Sequence, residues 1–157
     1  MLKISRLTDY GTQVMSGLST RPNEFVKSAE LALEIGVAAP TVAKLLKRLT
    51  REGLVESSRG QQGGYRLARL PANITVAEII QALDGPLGLT DCSADEGSCD
   101  HESDCNVKVN WQKISRVVAN ALDQVTLEQL LQPQEQPLRF MPNLDLRGRG
   151  DLAVTAE

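Results

Sequence analysis

The 157-residue sequence predicts a mainly α-helical fold with a small β-hairpin. Three observations predict it. Apolar residues recur at three- and four-residue spacing through five stretches, as expected of helices with one buried face. Between the third and fourth stretches, LVESS and YRLARL show the apolar–polar alternation of strands, and glycine-rich RGQQGG joins them. The order of helix, helix–turn–helix and hairpin is that of a winged helix-turn-helix, here followed by a long helix.

The first helix spans residues 5–20, with Leu7, Tyr10, Gly11, Val14 and Leu18 facing inward and Ser5 as N-cap. RPNEF breaks the pattern. Ser28 is expected to cap the second helix, which points Leu31 and Ile35 inward and ends at Gly36. Pro40 opens the third, where its missing N–H is no loss, and Gly53 stops it. That helix buries Val42, Leu45, Leu46 and Leu49. After the hairpin, TVAEIIQALD at 75–84 reads as a helix with Thr75 as cap and Glu78 completing a capping box. Residues 106–125 carry apolar side chains at 107, 111, 114, 118, 121, 122 and 125. A stripe of that length needs a partner, either the preceding domain or a two-fold copy of the chain. TLEQLL reads as a last short helix. The expected organisation is a DNA-binding domain over 1–85, a cysteine-rich loop over 86–105, a dimerisation helix with a short terminal helix over 106–131, and a largely disordered tail over 132–157.

Charge divides the chain in two. The overall formal charge is −3, yet residues 1–85 carry 11 Lys/Arg against 8 Asp/Glu, and residues 86–157 carry 6 against 12. A basic front and an acidic back suggest two tasks. On the third helix, Thr41, Lys44, Lys47, Arg48 and Arg51 lie away from the leucines, and Arg59 sits at the base of the hairpin loop. Cations on one helix face neutralise phosphates and release counterions, while the N-terminal half of such a helix enters the major groove. These six residues are the candidate contacts to a double-stranded DNA operator. No apolar run reaches the length of a membrane span, and an odd count of three cysteines argues for reduced thiols in the cytoplasm. An enzyme is not expected. There is no Ser/His/Asp set, and GQQGG lies in a hairpin rather than between a strand and a helix.

The segment DCSADEGSCDHESDC, residues 91–105, holds all three cysteines, the only histidine and six carboxylates. Carboxylates raise thiol pKa values, which opposes free thiolates, whereas a bound cation deprotonates thiols outright. Cys92, Cys99 and Cys105 therefore point to a metal centre. The spacing leaves several readings open: an iron–sulfur cluster, zinc held by the three cysteines and His101, a reversible disulfide, or thiols without such a role.

LTDYGTQV at 7–14, LVESSRGQQGGYRLAR at 54–69, ITVAEIIQALDG at 74–85 and three cysteines before a helix containing Trp111 carry a resemblance. Over roughly residues 1–131 the chain resembles the Rrf-type family of bacterial winged-helix regulators, which includes the Isc, Nsr and SUF-system regulators. In wording it looks closest to the SUF-system iron–sulfur assembly regulators. The resemblance implies a homodimer with two DNA-reading heads and a cluster, 2Fe–2S or 4Fe–4S, held by Cys92, Cys99 and Cys105. It implies a repressor of iron–sulfur assembly genes. Isc-type regulators share a histidine a few residues past the last cysteine, but Lys108 holds that place here. Nitric-oxide-sensing relatives use an aspartate near the N-terminus of the partner chain, and Asp9 matches it, with His101 as the alternative fourth ligand. The competing classes are a zinc-stabilised or thiol-switched regulator and an iron–sulfur carrier without a DNA role.

Overall fold

The structure is a computed structural model, described here for residues 4–90 and 108–132. Its elements are helices α1 (Arg6–Ser19), α2 (Ser28–Ile35) and α3 (Ala39–Arg51), strands β1 (Val55–Ser58) and β2 (Gly64–Leu67), a 3₁₀ turn (Pro71–Asn73), and helices α4 (Val76–Asp84), α5 (Lys108–Asp123) and α6 (Leu127–Leu131). The expected class holds: the molecule is mainly helical, with one two-stranded antiparallel hairpin. The tail from residue 133 and the segment 91–107 lie outside the described residues.

The core is aliphatic. Val14, Met15 and Leu18 of α1 meet Leu31 of α2, the four predicted α3 residues Val42, Leu45, Leu46 and Leu49, and Ile79 and Leu83 of α4. Burying each such side chain is worth about 1.5–3 kcal/mol relative to exposure, so this face fixes how α3 is presented. Ser5 caps α1 as expected, accepting the Thr8 backbone N–H at 3.1 Å. The predicted capping box of α4 is complete: Glu78 N–H donates to Thr75 Oγ1 at 3.2 Å, and Thr75 N–H donates to the Glu78 carboxylate at 2.9 Å. α2 differs. Ser28 is its first helical residue and Lys27 its N-cap, with no side-chain cap bond, because Val26 just upstream is held in extended pairing.

That pairing was not legible in RPNEF. Val26 and Tyr65 exchange two backbone hydrogen bonds of 2.9 Å, which adds a bridge to the β2 edge of the hairpin. Gly64 permits the approach, since a Cβ there would lie 2.5 Å from the Val26 carbonyl oxygen. Arg66 stacks over Phe25, 4.6 Å from the ring centroid, and pairs with Glu56 across the hairpin. The wing is therefore tied to the loop before α2 rather than left free.

The junction between α4 and α6 is a second clip. Val76 N–H donates to the Val125 carbonyl and Leu127 N–H to the Ile74 carbonyl, both at 2.8 Å. Thr75 and Thr126 cap their helices side by side, and Leu127 is fully buried. α5, starting at Lys108 among the described residues, covers only part of its own apolar stripe. Ser115 is buried, while Trp111, Ile114 and Val117 remain 39, 45 and 36% exposed.

Candidate nucleic-acid interface and thiol segment

Helix α3 sorts its side chains by angle. At 100° per residue, Pro40, Lys44, Lys47 and Arg51 fall within an arc of about 60° opposite the buried leucines. Pro40, Lys44, Lys47 and Arg51 are exposed, as is Arg59 directly after β1. Thr41 lies half-buried on one flank. The ion pairs of the described residues occupy other arginines: Arg21 bridges Glu30 and Glu34, Arg66 takes Glu56, and Arg69 takes Glu78. None of them engages Lys44, Lys47, Arg51 or Arg59. Four cations outside those pairs thus stand exposed, three on α3 and one at the start of the wing loop.

Arg48 is placed differently from its neighbours. It is half-buried, and its Nη1 donates to the Leu83 carbonyl at 2.5 Å, near the end of α4 where helix carbonyls lack intrahelical partners. It fastens α3 to α4. The same end of α4 also holds α1. Asp84 accepts the Ser5 hydroxyl at 2.6 Å and the Thr8 hydroxyl at 2.8 Å. Gly11 lies against Leu83 so closely that a Cβ would stand 2.1 Å from its Cδ1. The end of α4 is thus a hub joining α1 and α3. Nothing in the spacing of the sequence singled out Asp84. Arg48 was legible only as one of the cations facing away from the leucines.

The thiol segment begins beyond this hub. Cys92, Cys99, His101 and Cys105 lie outside the described residues. Just before them, Leu89 N–H donates to the buried Ser115 hydroxyl of α5 at 3.1 Å, so the chain entering the segment is pinned to the long helix. Asp9 is on the first turn of α1, exposed, and accepts a long bond from Gln13 Nε2 at 3.5 Å. It stands on the rim of an open groove of about 530 Å³, lined also by Thr12, Ser16, Ile35 and Leu131. Among the described residues no three His, Cys, Asp or Glu side chains gather as a metal site. Three thiols within one short acidic segment are a donor set of the chemistry that holds an iron–sulfur centre or zinc. No described helix is long and apolar enough to cross a membrane.

Comparison with known proteins gives one family. Residues 4–133 match the Rrf2 model, described as an iron-dependent transcriptional regulator. The NsrR regulator of Bacillus licheniformis is 28% identical over 136 residues, covering 85% of this chain and 95% of the relative. The structure of CymR, the global cysteine regulator of B. subtilis, superposes with a TM-score of 0.64 at 30% identity, over 83% of this chain and 96% of that one. IscR of T. potens superposes with a TM-score of 0.62 at 35% identity, over 83% and 86%. These relatives are regulators of transcription, not enzymes, and the solved ones share the fold.

Proposed function

This chain belongs to the Rrf2 family of transcriptional regulators, and on that footing we propose that it is a dimeric, iron–sulfur-sensing repressor of iron–sulfur cluster assembly genes of the SUF type. The observation that carries the reading is the pairing, in one short chain, of a cationic helix with a three-thiol segment that follows Leu89, itself bonded to α5. Cys92, Cys99 and Cys105 would hold the cluster, with Asp9 of the partner protomer as fourth ligand and His101 as the alternative within the segment. When bound, such a cluster would supply an oxygen- and iron-sensitive link among those residues. Thr41, Lys44, Lys47, Arg51 and Arg59 would face the operator, the cations meeting phosphates and setting the salt dependence. Arg48 would act by holding α3 at its angle. Trp111, Ile114 and Val117 would pack against the same stripe of a second protomer.

The route from sensor to reader is short in this reading. Asp9 sits on α1, α1 is bonded to Asp84, and α4 is bonded to α3 through Arg48. A tether on Asp9 therefore bears on the reading helix through three hydrogen bonds, and half-site spacing converts head separation into affinity. The test is compositional. Protein purified without oxygen is expected to hold iron and acid-labile sulfide, both lost in Cys99→Ala. Stoichiometric zinc with no sulfide would replace the reading by a structural-metal one. Absence of salt-dependent binding to duplex DNA would point instead to a carrier with no DNA role.

A further inference from the structure

We infer that this chain reads its operator half-site chiefly through thymine 5-methyl groups, met by the hydrocarbon surface that opens α3. The inference rests on the DNA-reading role proposed above and names the bases that role selects. The N-terminal part of a reading helix is the part that reaches base edges. Here that part offers Ala39, Pro40, Thr41, Ala43 and Lys44, of which Ala39, Pro40 and Lys44 are exposed and Thr41 and Ala43 half-buried on the flanks. Lys44 is the one side chain here that can read guanine and Thr41 can bond either kind of base, but none is Arg, Asn, Gln or Glu, the other side chains that read guanine, adenine or cytosine by fixed hydrogen-bond pairs. What remains is mostly methyl and methylene surface, the chemistry that contacts the thymine methyl.

The backbone strengthens the case. A helix N-terminus ordinarily presents spare N–H groups to a phosphate. In α3 the second helical residue is Pro40, which has no N–H, and the N–H groups of Thr41 and Val42 are both spent on the Ala38 carbonyl at 2.9 and 3.2 Å. Ala38, the N-cap, brings no polar side chain, and no acidic residue lies in the first turn. Ahead of Lys44 the front of the helix is therefore small, uncharged and poor in donors, which lets it approach the groove floor closely. The cations begin at Lys44 and continue to Lys47 and Arg51, further along the same arc. The helix divides into a methyl-reading front and a phosphate-holding back.

The experiment uses full-length protein prepared without oxygen. Duplexes it retains are selected from a random-sequence pool, and each thymine of the selected half-site is then replaced singly by deoxyuridine. Affinities are compared at one salt concentration. A·T pairs are expected at the centre of each half-site, with deoxyuridine weakening binding about fourfold at each contacted methyl, the value of one buried carbon. Lys44→Met should weaken all sequences alike and leave the deoxyuridine penalty intact. Binding unchanged within about twofold at every deoxyuridine, where fourfold is expected from one methyl, would overturn the inference while leaving the regulator reading standing. So would half-sites centred on G·C. Failure to retain any duplex would overturn both.

Discussion

Arg48 shows how one cation among several comes to do different work. Sequence spacing placed it with Lys44, Lys47 and Arg51, yet it lies nearer the leucine face and its guanidinium reaches the Leu83 carbonyl. Arg48→Met is expected to lower stability by about 1 kcal/mol, the worth of a hydrogen bond, in denaturant titrations. Lys47→Met and Arg51→Met should leave stability unchanged and each flatten the salt dependence of DNA binding by about 0.9 in log–log slope. Equal effects of all three on that slope, with none on stability, would contradict the assignment. Glu78 makes a pH prediction. Burial alone would push its carboxyl up, but the Thr75 backbone N–H and the Arg69 guanidinium outweigh burial and hold it below its ordinary value. A depressed carboxyl contributes stability that is present above its unfolded pKa and lost as pH falls through the folded one. Wild-type protein should therefore lose stability on acidification, and Glu78→Gln should lose less across that range.

The helices were largely legible because each buries one face against a common core, so a 3.6-residue repeat is imposed on the sequence. The Ser5 and Thr75 caps and the glycine stops were legible for an equally local reason. The bridge between Val26 and Tyr65 was not, because it consists of backbone hydrogen bonds between segments 39 residues apart in sequence and leaves no side-chain pattern. Its trace is Gly64, whose missing Cβ makes room for the Val26 carbonyl. Gly64→Ala is expected to destabilise the protein by about 1–3 kcal/mol, as overpacking does, and to loosen the wing, measurable as faster amide exchange at Tyr65. The α5 stripe was legible as apolar but ambiguous in partner. Part of it is covered within the chain, and Trp111, Ile114 and Val117 are left open. Ile114→Glu should shift the protein from dimer to monomer in sedimentation while helical content is kept. A variant that stays dimeric would move the interface elsewhere.

In the molecule as a whole, the candidate site was half legible. Thiols cluster in sequence, so their segment announced itself, and a cationic helix face follows from periodicity. The hub at the end of α4 did not, because Ser5, Thr8, Arg48, Leu83 and Asp84 meet only once the chain folds. If that hub transmits the signal, Thr8→Val should keep cluster content and basal DNA binding yet shrink the difference in operator affinity between loaded and stripped protein. A coupling device of this kind operates over about 1–3 kcal/mol, or 5–150-fold in affinity. The most direct measurement of the central claim is that difference itself: operator affinity of the anaerobic, cluster-loaded protein against the same protein stripped of iron, at one salt concentration, with Cys99→Ala alongside. The loaded form is expected to bind at least about fivefold tighter, with Cys99→Ala matching the stripped form. Equal affinities for all three would contradict the claim.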